Sequence, residues 1–461
     1  MSALVPIALF GWIPTVLAIF LRRPPQQAVL ISFMGAWLLL PEAEYELSGI
    51  PDYTKMSATC LGILGACALF DWKRLRQVRL QGYDFPLLLW CMSPLPSSLS
   101  NGLGLYDGLA QSLDQIFTWG LPYLVGRLYF TDATGLRALA LAIVIGGLAY
   151  VPLCLIEIRL SPQLHRLVYG YHQHQFAQSM RGGGFRPTVF MEHGLMVGMW
   201  MATASLLAVW LWAMQGLRRI SLPAIGRVSF AGPLMILLVT TVLCKSYGAL
   251  ALLCVGLATL FVSRALGTRA ILATLLLVPP LYCVTRSAGI FEGRGLVETA
   301  AGIDLERAES LAFRLRNEDL LVEKALQRPV FGWGGWSRAR VYDWKGEDVS
   351  TTDGQWVVAL GDRGIFGLTM FLAALLTPAL RTFAHAPARR WREPGIGAGV
   401  GLAMVLVLYA VDSLLNAMKN PVFVLIAGGL NASASRLLLP RRSQAETQRE
   451  TPGLPVPVRA R

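Results

Sequence analysis

The chain has 461 residues, 54% of them hydrophobic and only 15% charged, with a mean hydropathy of +0.51. A soluble protein carries roughly a quarter charged residues, so an ordinary soluble domain is excluded. The formal net charge of +13 does not indicate nucleic acid as a partner: the surplus Lys and Arg sit in short links between apolar blocks, and no basic-aromatic module is present.

The N-terminus reads MSALVPIALFGWIPTVLAIFLRRPP. A secretory signal puts its positive charges before the apolar run, whereas Arg22 and Arg23 follow it here. This predicts a retained first span with the N-terminus outside. Further apolar blocks, each near the length that crosses a hydrocarbon core, predict an all-α polytopic membrane protein of about thirteen spans. Their cores lie near 3–21, 27–41, 55–71, 84–99, 108–130, 136–157, 194–215, 229–244, 247–263, 270–285, 355–378, 396–415 and 421–438. The block 84–99 contains Pro86, Pro94 and Pro96, so neighbours must shelter its backbone.

The short links RRPPQQ, DWKRLRQVR, TDATGLR, QGLRRISLPAIGR, SRALGTR and RTFAHAPARRWREP are rich in Arg or Lys and alternate with the other set. They predict the cytoplasmic face, with the C-terminus inside. The organisation that follows is ten spans over 1–285 with an outer loop at 158–193, a large outer loop at 286–353, three spans over 354–438 and a polar tail at 439–461. The tail is expected to be disordered, with Arg441 and Arg442 at the anionic inner leaflet. The seven cysteines all fall in or beside apolar blocks, which argues against a disulfide framework or a thiolate metal site.

Long loops between tightly joined spans are usually functional. The first ends in SMRGGGFRPTVFMEHGLMVGMW, where Arg181, Arg186, Glu192 and His193 crowd the start of a span. Arg186 precedes a proline in a glycine-rich turn, which lets its planar fork approach phosphate oxygens. For Arg181 the competing reading is a side chain that snorkels to the interface. For His193 it is a helix histidine with no chemistry. His165, His172 and His174 share the loop, but their spacing is no known metal-ligand set. In LCKSYGALALLC, Lys245 sits between two spans with almost no loop, a costly place without an anion or water.

The second loop contains ERAESLAFRLRNEDLLVEKALQRPVFGWGG. Leu311, Leu315, Leu320, Leu321 and Ala325 keep an approximate helical period, and Arg328-Pro329 stops it. This predicts an amphipathic helix at the outer membrane face. Arg314 and Arg316 cannot share a helical face, while Arg307 and Arg314 can align. Finally, VSTTDGQWVVALGDRGIFGL starts a span. Thr352 or Asp353 can cap its first turn; the alternative is that Asp353 is a general base. Gly361, Gly364 and Gly367 thin one side, as close helix packing requires.

Four stretches in this order, FRPTVFMEHG, KSYGALALL, FRLRNEDLLVEKALQRPVFGWGG and TDGQWVVALGDRGIFGL, resemble the bacterial O-antigen ligase and polymerase family over roughly residues 100–430. The resemblance implies a GT-C-like helical bundle in the inner membrane, with an outward cavity roofed by the long periplasmic loop. It implies transfer of a glycan from a polyprenyl-diphosphate carrier to an acceptor glycan, with no metal or nucleotide cofactor. It also implies membrane lipid, and a chain-length regulator or flippase, as partners. Arg186 matches the arginine of the first turn, and Arg314 or Arg316 those of the long loop. Family ligases commonly carry a histidine where this chain has Asp353, and an arginine where it has Tyr247. The aspartate resembles the polymerase side.

The residues lead the same way. Fixed cations stabilise a departing diphosphate, and Arg181, Arg186, Lys245, Arg314 and Arg316 are the candidates. A carboxylate activates the acceptor hydroxyl, so Asp353 is the candidate base, with His193 beside it. The alternatives are an O-antigen-ligase-like transfer to a lipid or protein acceptor, and a lipid-linked glycan transporter. A transporter should show internal repeats and broken helices at mid-membrane, and no repeat is visible.

Overall fold

The computed structural model describes residues 2–434, except 48–49, 182, 223–225, 303–304 and 336. The expected tail, with Arg441 and Arg442, and the side chain of Arg307 lie outside the described residues. The described residues are 73% helical. Its sheets, among the described residues, are three two-stranded antiparallel hairpins placed between helices.

All thirteen apolar blocks are helical where they are described, but among the described residues six helices are long and apolar enough to cross a membrane. We label the helices used below α1 (Ala133–Leu160), α2 (Gly194–Gln215), α3 (Tyr247–Leu266), α4 (Ala270–Ser287), α5 (Leu305–Leu326), α6 (Gln355–His385) and α7 (Pro394–Asp412). All except α5 belong to the six. A bent pair, Leu4–Phe10 and Trp12–Arg22, makes a seventh span if counted as one.

The other blocks fall short for visible reasons. The block at 421–438 is described only to Ala434, and Pro25–Leu39, Lys55–Phe70 and Ala231–Leu243 have 13 to 16 residues. At 1.5 Å per residue such helices reach only about 20–24 Å, against a hydrocarbon core of about 30 Å. The block at 84–99 breaks at Ser93, before Pro94. The block at 108–130 is interrupted by a π-helical turn at Ile116–Gly120.

Helix α5 ends at Leu326, just before the expected stop. Leu315, Leu321 and Ala325 are buried as the period predicts, but Leu320 is exposed. The helix packs on the start of α6. Its face there is not purely apolar, because Asn317 and Glu318 are buried with the leucines.

Helix α6 changes direction at Gly364, whose φ of 65° is left-handed. The backbone groups released at the break are taken by Pro329–Gly334. Ile365 and Phe366 donate to the carbonyls of Pro329 and Val330, and Trp333 and Gly334 donate to those of Gly361 and Asp362. Ser97 and Asn101 tie the same segment from the other side. The packing role expected for Gly361, Gly364 and Gly367 is thus only part of the matter: a Cβ on Gly364 would lie 2.3 Å from the Val330 carbonyl oxygen. Gly364→Ala is expected to destabilise the protein by more than ~1 kcal/mol, since both φ and space refuse a side chain. Thermal unfolding in detergent checks this; an unchanged midpoint would count against it.

Candidate functional site

One end of the bundle gathers the start of α2, the link between Ala231–Leu243 and α3, the side of α5, the start of α6 and the end of α7. Most of the residues singled out from the sequence meet there.

Arg186 follows a hairpin of Met180–Arg181 with Gly184–Phe185, in which Gly183 turns the chain at φ 68°. The hairpin is pinned by Arg186 N–H donating to the Ser179 carbonyl at 2.7 Å. The Arg186 side chain is buried and lies against Gly194, where a Cβ would come within 2.3 Å of its Cδ. One Nη donates to the Lys245 carbonyl at 3.3 Å, whereas Nε has no hydrogen-bond partner among the described residues. Burial pushes this guanidinium down to about 10, and the charges of Arg181 and Arg314 push the same way. It stays protonated at neutral pH, held beside like charges. An arrangement of this kind is relieved by an anion.

Lys245 occupies the left-handed region at φ 52°. Its ammonium donates to the Arg181 carbonyl at 3.1 Å, and it fills the space a Cβ on Gly184 would take. It therefore clips the arginine hairpin to the start of α3. Arg181 itself is exposed.

On α5, Arg314 and Arg316 part as helical geometry requires. Arg316 is exposed. Arg314 turns inward, with Nε 3.9 Å from an Asp353 carboxylate oxygen and an Nη donating to the Leu415 carbonyl at 3.2 Å. A buried cluster one turn along fixes it there. Glu318 accepts from Tyr282 at 2.8 Å, from Trp356 Nε1 at 3.3 Å and from Arg286 at 3.3 Å. Arg286 also pairs with Asp319 at 2.8 Å and donates to the carbonyls of Phe291 and Leu315. The cluster ties α4, α5 and α6 together.

The capping reading of Thr352 and Asp353 does not hold. The cap of α6 is Gly354, with no side-chain hydrogen bond, and the Trp356 N–H is satisfied by the Ser413 carbonyl at the end of α7. Only glycine fits, since a Cβ would lie 2.4 Å from the Leu414 carbonyl oxygen. Thr352 accepts from Arg340 at 3.1 Å. The Asp353 carboxylate is free of the helix. Burial raises its pKa above the ordinary value and Arg314 opposes that rise.

His193 is the residue that does cap. Its Nδ1 accepts from the Leu195 N–H at 3.0 Å, starting α2, and its Nε2 lies 3.3 Å from Gln178 Oε1. Burial pushes the imidazole down to about 3, followed by His174 and the nearby arginines Arg186, Arg181 and Arg314. It is neutral at physiological pH with both ring nitrogens engaged, which suits positioning better than proton transfer. No three His, Cys, Asp or Glu side chains among the described residues are grouped to hold a metal ion.

Sequence reading missed Glu157, at the end of α1. Its carboxylate accepts from the N–H groups of Leu164, Thr188 and Val189 at 2.7–3.0 Å, and Val189 has a strained φ of 51°. This one side chain fixes the loop that delivers Arg186. A lone carboxylate at the end of an apolar block was the available signal.

No family model matches the chain, and no curated protein matches it.

Proposed function

We propose that this is an inner-membrane glycosyltransferase that polymerises polyprenyl-diphosphate-linked oligosaccharide repeats on the periplasmic side. The observation that carries the reading is the meeting of Arg186, Arg314 and Asp353, drawn from three distant parts of the chain. A buried guanidinium with an unused Nε–H, a second arginine and a half-buried acid suit a departing diphosphate and an incoming hydroxyl.

In this reading the diphosphate lies against Arg186 and Arg314, with the exposed Arg181 at the rim. Lys245 holds the hairpin, and Arg316 lies outside the site. The acceptor hydroxyl oxygen attacks the anomeric carbon. The bond from that carbon to the diphosphate oxygen breaks and its electron pair leaves with the diphosphate. The hydroxyl proton passes to the Asp353 carboxylate. Attack opposite the leaving group inverts the anomeric centre. His193 stays neutral and holds the start of α2. The chemistry asks for no metal or nucleotide, because the carrier diphosphate is already a leaving group.

The basic links, on the end of the bundle away from this site, support an orientation with the site and N-terminus periplasmic and the C-terminus cytoplasmic. Transfer to a lipid or protein acceptor would use the same groups; the acid at Asp353, where family ligases commonly have histidine, favours polymerisation.

Purified protein in detergent, given lipid-linked repeats without nucleotide or metal, is expected to lengthen the glycan. Arg186→Ala should lower kcat/KM by about a hundredfold, the scale on which loss of one transition-state donor acts. Absence of any extension by the unmodified protein, with intact carrier recovered, would remove the reading.

A further inference from the structure

A cleft opens beside the arginine cluster, and nothing above gives it a role. It encloses about 900 Å³, including space open to solvent. Its walls include the hairpin of Glu44–Leu47 with Ile50–Thr54, the start of the helix Lys55–Phe70, the π-helical turn at Ile116–Gly120, the turn at Glu192, and Lys419–Pro421. A π-turn breaks the regular helical ladder and is common at functional sites. Here it presents Phe117, Thr118 and Trp119 to the cleft.

The chemistry of the walls is opposite to that of the arginine cluster. Glu42, Glu44, Asp52, Asp114 and Glu192 face it, against the ammonium groups of Lys55 and Lys419. Glu42 is held by Lys55, which also donates to the Phe190 carbonyl and lies over the Trp37 ring. Glu44, Asp114 and Glu192 share the charge of Lys419 across the cleft, so the five carboxylates outnumber the two ammonium groups. Trp37, almost fully buried in the same wall, has an indole N–H with no hydrogen-bond partner among the described residues.

We propose that this cleft binds a non-anionic sugar unit of the acceptor glycan. The inference rests on the transferase reading for the word acceptor, but not for the binding itself. Carboxylates and an indole N–H match a ring of hydroxyl groups, and aromatic side chains match the apolar faces of a sugar. The surplus of acids over lysines repels a diphosphate, so carrier and acceptor are sorted by charge. The two regions share a border. The turn after α7 supplies the Leu415 carbonyl to Arg314 and Lys419 to the cleft, while Glu192 and His193 are neighbours on the other side. A metal ion is a poorer occupant, since no three ligating side chains among the described residues are grouped to hold one.

The test uses the full chain in detergent and lipid-linked glycan extracted from cells that lack the protein. Half of the extract is kept intact, and half is freed of carrier and phosphate by mild acid. Binding of the freed glycan is followed by tryptophan fluorescence. The double variant Asp114→Asn/Glu192→Gln is expected to weaken it by about tenfold or more, given the strength of hydrogen bonds to charged acceptors. Arg186→Ala should leave it unchanged. With the intact extract, the double variant should raise KM for acceptor with kcat little altered. Equal affinity in the wild type and the double variant would overturn the proposal, as would no binding by the wild type or displacement of the glycan by millimolar Ca²⁺. Binding without any glycan extension would instead sink the transferase reading and leave the cleft assignment standing.

Discussion

Asp353→Asn is expected to lower kcat for glycan extension by about 10²–10⁴-fold, the range for loss of a general base. Stability should hardly move, because Gly354 and the Ser413 carbonyl start α6 and the carboxylate contributes no cap. Activity and a melting curve on the same preparation test both halves. Full activity would reduce Asp353 to a partner of Arg314, and a large loss of stability would make the kinetic result uninformative about chemistry.

The same carboxylate sets a pH dependence. The working form is the anion, so the rate falls as pH drops through its pKa. Burial raises that pKa above the ordinary 3.8, and Arg314 pulls it back. The acid limb of the profile should therefore lie above the normal aspartate range. Arg314→Gln removes the opposing charge, so the limb should move to still higher pH. A shift to lower pH, or none, would contradict the pairing.

The second large effect concerns stability. Arg286→Met leaves Glu318 buried without its cation, and breaking such a pair costs about 3–5 kcal/mol. Both side chains are 2% exposed, so water cannot substitute. Asp319 also loses its partner. Arg286→Met/Glu318→Met should recover much of the loss, since a buried ion pair replaced by apolar groups is often tolerated. Denaturation midpoints in detergent compare the three proteins. Because Arg314 lies one turn from Glu318, the single variant should also raise KM for the lipid-linked donor.

Apolar runs of the right length made every helical block legible, because burial of side chains in lipid leaves a plain mark on composition. The lengths were less legible. No residue in 108–120 announces the π-turn that interrupts that block; of the block 421–438, residues 435–438 lie outside the described residues. Arg186, Arg314 and Asp353 stood out because charge beside an apolar span is costly. Their convergence follows from tertiary packing, which no local pattern encodes. Most acids of the cleft were hidden for the same reason. Glu44 and Asp114 are ordinary link or helix residues until the hairpin and the π-turn face one another, while Glu192 stood out only by its place at the start of a span. Glu318 reads as one charge among many on α5, and only its contacts with Tyr282 and Trp356 distinguish it.

The break in α6 also bears on biosynthesis. Apart from the Arg363 guanidinium, which reaches the Asp362 carbonyl from within α6, the groups that satisfy the opened backbone around Gly364 come from earlier in the chain: Ser97 and the run 329–334. A ribosome releases residues in order, so the receptors for those bare amides and carbonyls have already emerged when the kink leaves the exit tunnel. Insertion need never expose a half-made ladder to hydrocarbon. A circular permutant that made α6 first would have to carry that defect until its partners followed.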